Sequence, residues 1–348
     1  MLHWKQLANL SDDVLATYDI AVVNLACTAD LPDAPSPRTI QACLHKLDEW
    51  AKLVRHYTEL SYEQFFRKDP AKYDHSEALF RAVCLNTALQ RHRGLRYNPA
   101  KKAEDAVFET ADSFIHGAIL GDGGTCASIP VVLAAVGRRL GYPIKIVETK
   151  GVKWGHVFAR WDDPNGERLN LEGTAKGLST PDDDYYRTGR YALDAETEKK
   201  GQFLKSLTPR EELASFLFSR GIRWRDLRKW RCVGEAFATA SGLAPANVFY
   251  LNTLKVDMNT WLAEQKRQKP PGFPDVYIQT TGRCFPEGLS LEIEHKLLGQ
   301  VVWDNLLSDP RLNVKYWEPM RRGVKLPRVP KRVEARFSAE KCAVELFD

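Results

Sequence analysis

No Cys-x-x-Cys pair occurs in this chain of 348 residues, and its seven cysteines (27, 43, 84, 126, 232, 284 and 342) follow no spacing. That argues against a structural zinc and against a disulfide scaffold. An odd, scattered set of thiols fits a reducing, cytoplasmic compartment. Long apolar runs are missing as well. None approaches the ~18 residues of a membrane helix, and the opening Met-Leu-His-Trp-Lys-Gln carries no apolar leader with a cleavage site behind it. Charge of one sign is missing too. The 50 basic and 45 acidic side chains leave a net +5, which is too little for a dedicated nucleic-acid binder. No calcium loop of the Asp-x-Asp-x-Asp-Gly kind is present. What remains is a globular composition, 44% hydrophobic and 27% charged, with chain enough for two or three domains. The reading is a soluble cytoplasmic protein with no cofactor, no metal and no membrane partner.

Residues 1–95 read as helical. Ile20, Val23, Leu25 and Ala26 form one apolar cluster, and a Pro-rich turn over 30–37 breaks the chain. Leu44, Leu47, Trp50, Ala51, Leu53 and Val54 then recur at helical spacing, and a third helix is expected over Ser76 to Arg91. Residues 97–108 are polar and connecting. A helix apolar nearly all round runs from about Ala127 to Leu140, so it belongs in the core. Three strands follow: Pro143 to Val147, His156 to Trp161 and Glu167 to Leu171, the last two joined by the turn Asp162-Asp-Pro-Asn-Gly166. Helix and antiparallel strands make an α+β unit with a central helix on an antiparallel sheet.

Residues 175–205 read as loop-rich, with a solvated acidic stretch Asp182-Asp-Asp184 and then the aromatic pair Tyr185-Tyr186. Thr208-Pro-Arg-Glu211 is a capping box that starts a helix expected to stop at Gly221. A second helix is expected over Trp224 to Ser241. This pair has tetratricopeptide-like spacing, in a single unit. Beyond a linker over 266–272, a helix is expected over Leu289 to Leu307. The resulting division is 1–95, 96–205, 206–268 and 273–348, the last of unknown role.

Chemistry concentrates in three short motifs. Gly-Gly-Thr-Cys ends at Cys126, Trp-Gly-His ends at His156, and Leu-Glu-Gly-Thr surrounds Glu172. A thiol, an imidazole and a carboxylate are the parts of a cysteine nucleophile, its base and the orienter of that base. Cys126 precedes the central helix, whose N-terminus favours negative charge. Gly123 and Gly124 let the backbone approach a substrate, and the Cys126 amide is placed to meet an oxyanion. Pro130 cannot donate to the carbonyl of Cys126, so either the regular helix starts nearer Ser128 or its first turn is loosened. His156 opens one strand of the hairpin, and Glu172 ends the other. Cross-strand neighbours lie about 5 Å apart, which brings the two together. Asn170, on the same face, is the alternative orienter. Gly124, Thr125, Trp154 and Asp122 are expected to line the site, and His116 reads as a packed core histidine.

Gly-Thr-Cys126, then Gly141-Tyr-Pro-Ile144, then Gly155-His-Val-Phe158, then Glu172-Gly-Thr174 resembles the transglutaminase-like superfamily. Leu85-Asn86 and Tyr97-Asn98-Pro99 resemble the segment ahead of the core in a bacterial subgroup, which has helices before the core and tetratricopeptide-like helices after it. The resemblance covers roughly residues 15–250. It implies a papain-like core over residues 96–205, with Cys126, His156 and Glu172 as the triad. The triad's usual Asp-Pro-Thr is replaced here by Glu-Gly-Thr. It also implies acyl transfer through a thioester, on an amide or isopeptide bond of a protein or peptide substrate. Hydrolysis by a protease or amidase comes first, because nothing in the sequence marks an amine-acceptor site. Two alternatives stay open: a non-catalytic scaffold that binds a protein partner through the later helices, and a protein-glutamine amine transferase.

Overall fold

A computed structural model describes residues 2–103, 106–150, 155–188 and 191–268, together with the strand segments 277–285, 288–294, 332–338 and 343–347. It divides into two compact units, Met1–Ser219 and Arg220–Asp348. Among the described residues, no helix is long and apolar enough to cross a membrane.

In the first unit, helix α1 (Ile20–Ala26) is capped by Asp19, whose side chain accepts from the Ala21 amide. Helix α2 (Pro37–Ser61) begins with Ser36 as cap and Pro37 in the first turn, where a missing N–H costs nothing. Its Cys43, Leu47, Trp50, Ala51 and Val54 are buried. Helix α3 (Glu77–Thr87) follows a Ser76 cap and runs on into a π-helical turn, Ala88–His92. Helix α4 (Ile115–Leu120) leads to the central helix α5 (Ile129–Arg139). Every residue of α5 from Ile129 to Gly137 is buried, as expected for a helix apolar on all sides. Arg139 in its last turn pairs with Asp19 and Asp48, which ties the helix end to α1 and α2.

Strands β1 (Ile144–Thr149), β2 (His156–Asp162) and β3 (Arg168–Leu171) form an antiparallel sheet in the order β1-β2-β3. The fold class is α+β. The register sets Ala159 opposite Leu171 and Arg160 opposite Asn170. The segment after β3, expected to be loop-rich, is partly helical. It carries helix α6 (Asp183–Arg187), capped by Asp182, and a further helix, Ala195–Gly201.

The chain passes from one unit to the other within helix α7 (Pro209–Asp226). Its capping box forms: Thr208 Oγ1 accepts from the Glu211 amide, and Glu211 accepts from the Thr208 amide. Gly221 lies inside α7 and does not end it. A Cβ at Gly221 would stand 2.3 Å from the Phe237 ring, so the glycine serves close packing. The helix stops beyond it, where Arg228 adopts a left-handed φ of 55°. Helix α8 (Trp230–Leu243) and helix α9 (Val248–Gln268) follow. In α9, Tyr250, Leu254, Met258 and Trp261 are buried at helical spacing. The helix expected over Leu289 to Leu307 is not formed at its start. Residues Gly288–Glu294 are a strand, the second in an antiparallel sheet of Tyr277–Phe285, Gly288–Glu294, Arg332–Ser338 and Ala343–Phe347. Leu289, Leu291 and Ile293 alternate with polar residues, a period of two that favours a strand. Residues 295–307 lie outside the described residues.

Candidate active site

The cysteine sits on a braced turn. The Gly124 amide donates to the Arg96 carbonyl (2.9 Å), and the Asn98 amide donates to the Gly124 carbonyl (2.8 Å). Gly123, at φ +132°, has room for no side chain, since a Cβ there would lie 2.6 Å from the Arg96 oxygen. Beyond this pairing, the Thr125 amide donates to Ser128 Oγ and the Ala127 amide to Thr125 Oγ1. Both hydroxyls donate in turn to the Asp112 carbonyl, at 2.7 and 3.1 Å. The Asp112 carboxylate is held by Asn98 Nδ2, by the Glu109 amide and by Lys101 Nζ. These bonds occupy the amides on either side of Cys126, and among the described residues its own amide has no partner. Regular helix begins only at Ile129, with Pro130 second in it. Of the two openings the proline allowed, the later start is the one formed, and Cys126 lies half-buried ahead of the helix.

His156 opens β2. Glu172 leaves β3 one residue past Leu171, and its backbone turns to bridge Ser179. Continuing the β2–β3 register would set Phe158, not His156, opposite Glu172. The carboxylate therefore reaches His156 on the diagonal, a span suited to long side chains. Glutamate has one methylene more than aspartate and covers it: His156 Nε2 and Glu172 Oε1 are 2.6 Å apart. The Tyr186 hydroxyl donates to the same Oε1 (2.7 Å), and Thr174 Oγ1 donates to Oε2 (3.4 Å). Behind them, Gln90 Nε2 donates to the Gly173 and Ala175 carbonyls, and Gln90 Oε1 accepts from the Gly177 amide.

The imidazole lies in an aromatic enclosure. Its ring is 5.3 Å from Tyr191, 6.3 Å from Phe158 and 6.4 Å from Tyr186. Burial alone pulls the His156 pKa down. Hydrogen bonds to Cys126 and Glu172, and the charges of both, outweigh it and push the value up to about 9. The raised value favours the imidazolium form at neutral pH. A group whose folded pKa lies above its unfolded value of 6.5 stabilises the fold fully below pH 6.5, and that stability is lost as pH rises through about 9. The shift corresponds to at most about 3 kcal/mol. The urea midpoint is expected to fall between pH 6 and pH 10 by more in the native chain than in His156→Gln. Equal falls in the two would show that the imidazolium contributes nothing.

Asn170 does not reach His156. Its side chain takes Arg160 Nε on Oδ1 (2.6 Å) and donates to the Pro181 carbonyl and to Asp183. It does share a face with His156, but it is opposite Arg160, and four residues along a strand amount to about 13 Å. Asp183, read as solvated, is the ion-pair partner of the fully buried Arg160 at 2.5 Å. Gly124 and Thr125 are buried and brace the turn from behind. Asp122 is exposed on the bend ahead of it, and Trp154 lies outside the described residues. His116 is buried, and burial lowers its pKa.

Two residues beside the site are not marked as such by the sequence. Tyr186 stands fourteen positions beyond Glu172, in a stretch read as loop-rich, and no local spacing marks it. Tyr97 pairs with Gly124 through its backbone. Its phenol pKa is raised by burial and then by the charges of Cys126 and Asp112.

Comparison with protein-family models, with curated proteins and with solved structures finds no match. The chemistry of the site rests on its own geometry.

Proposed function

We propose that the chain is a cysteine-dependent acyl-transfer enzyme of the transglutaminase-like kind with a papain-like core, a hydrolase of amide or isopeptide bonds in a protein or peptide substrate. The observation that carries this reading is the pairing of His156 with Glu172 at 2.6 Å, with Cys126 near enough to act on the same imidazole, three groups brought from three separate elements. Nε2 is committed to Glu172, so Nδ1 is the nitrogen that exchanges a proton with the thiol. The central helix behind the nucleophile and the antiparallel strands that carry the base and its orienter support the same reading.

The thiolate of Cys126 attacks the amide carbonyl carbon, and the oxyanion is met by the unpartnered Cys126 amide. The carbon–nitrogen bond then breaks. The imidazolium gives its proton to the departing amine, and the acyl group stays on sulfur as a thioester. His156, now neutral, takes a proton from water as the oxygen attacks the thioester. The products are a carboxylic acid and the restored thiolate–imidazolium pair.

Iodoacetamide at pH 7 tests the nucleophile. Cys126 is expected to alkylate about 10-fold or more faster than Cys232, the other half-buried thiol among the described residues. Cys43 and Cys84, whose thiols burial pushes up to about 11, are expected to stay unmodified while the fold holds. Equal rates at Cys126 and Cys232 would remove the support for an enzyme and favour a binding scaffold. Incorporation of an added primary amine, in place of hydrolysis, would favour amine transfer.

A further inference from the structure

We propose that Tyr186 is a positioning residue that sets the basicity of His156 by acting on Glu172, an inference that rests on the proposed acyl-transfer reading. The tyrosine is fully buried, and its hydroxyl donates to the same carboxylate oxygen that meets the imidazole. Its ring lies flat on Phe158 at 4.4 Å and 4°, and Phe158 is two residues along the strand from His156. Helix α6 holds it there. Asp182 caps the helix, and Asp183 is bound by the buried Arg160. The phenol is fixed, dry and aimed at one atom.

The consequence follows from charge. While His156 is protonated, the carboxylate faces a cation. Once the imidazole gives up its proton, the same carboxylate stays ionised in a buried place without its counter-charge. A phenol donating to it stabilises the second state more than the first. It therefore eases deprotonation of His156, which the water-activating step needs. Burial first, and then Glu172, raise the Tyr186 pKa well above the ordinary phenol range, so it acts as a neutral donor. Among the described residues, the groups that face the cluster include Cys126 from the turn ahead of α5, Tyr191 beside the imidazole, Tyr185 at the edge of Tyr186 and Thr174 on the second carboxylate oxygen. Arg160 lies over Phe158, and Thr149, opposite His156 on β1, carries no charge.

The test is the His156 midpoint, read by NMR of histidine-labelled full-length protein. Tyr186→Phe keeps the ring stack and removes the donor. It is expected to raise the midpoint by about 0.5–1 pH unit, and to have no such effect in a Glu172→Gln background. Fluorotyrosine placed at 186 keeps the hydroxyl and makes it a stronger donor, so it is expected to shift the midpoint the other way. That variant decides the matter even if Tyr186→Phe does not fold. A midpoint unmoved by both changes, or moved equally with and without the Glu172 carboxylate, overturns the role. The titration is independent of thiol reactivity. A native chain whose Cys126 alkylates slowly while its His156 midpoint responds to Tyr186 would refute the enzyme and leave this inference standing. Fast alkylation with an unresponsive midpoint would do the reverse.

Discussion

Cys126→Ala is expected to lower amide hydrolysis by roughly 10⁶-fold, and His156→Ala by a comparable factor. The double substitution should fall no further than either single one. In the proposed mechanism the thiol and the imidazole act as one unit: without the base no thiolate is made, and without the sulfur the base has no proton to take. Their losses therefore do not add. Glu172→Gln is expected to cost less, roughly 10⁴-fold, because the nucleophile and its base both remain while the imidazole loses its orienting charge. The measurement is release of a fluorescent amine from a library of peptidyl amides by the native chain and the variants. Persistence of more than about one-tenth of the native rate in Cys126→Ala would show that some other group does the chemistry.

Arg160→Met is expected to destabilise the first unit by about 3–5 kcal/mol. Arg160 is completely buried in the strand that carries His156. It donates to Asn170 Oδ1 at 2.6 Å, to the Leu204 carbonyl at 2.8 Å and to Asp183 at 2.5 Å. Methionine fills much of the volume but strands Asn170 Oδ1, and it takes one donor each from the Asp183 carboxylate, which keeps Asn170 Nδ2, and from the Leu204 carbonyl, which keeps Arg168. The penalty comes from those lost donors more than from the missing attraction. Denaturant midpoints give the value. If Asp183→Asn combined with Arg160→Met restores about half of the loss, the charge left on Asp183 is its main source. A loss below about 1 kcal/mol for Arg160→Met alone would mean that water replaces the guanidinium.

The order of thiol, imidazole and carboxylate was legible in the sequence because each stood beside a local signal: paired glycines, the start of a β-rich run, the end of a hairpin. The central helix was legible for the same reason, since an apolar run with a glycine after it has few other uses. Asn170 misled because sharing a face with His156 is a matter of parity, whereas reaching it is a matter of register. Only the pairing of Arg160 with Asn170 shows how far along the ladder it lies. As part of the site, Tyr186 was not legible at all. It reaches Glu172 through a five-residue helix whose anchor, Arg160, lies on another strand. Gly221 and Leu289 failed for simpler causes. A glycine that permits close packing looks the same in one dimension as a glycine that ends a helix. An alternating run beside a longer apolar stretch was assigned the wrong period.

Residue 96, where a core seemed to begin, is crossed by bonds that the thiol and the carboxylate both depend on. Gln90 grips the carbonyls behind Glu172. Asp33 accepts from the Thr110 amide and hydroxyl, at the start of the turn whose Asp112 carbonyl holds Thr125 and Ser128. The segments before residue 96 are in this sense the jig in which the candidate site is clamped. A gene fragment encoding residues 96–205 would carry the reactive groups away from the parts that align them. Exchange between homologous genes that preserves function must move the two stretches together.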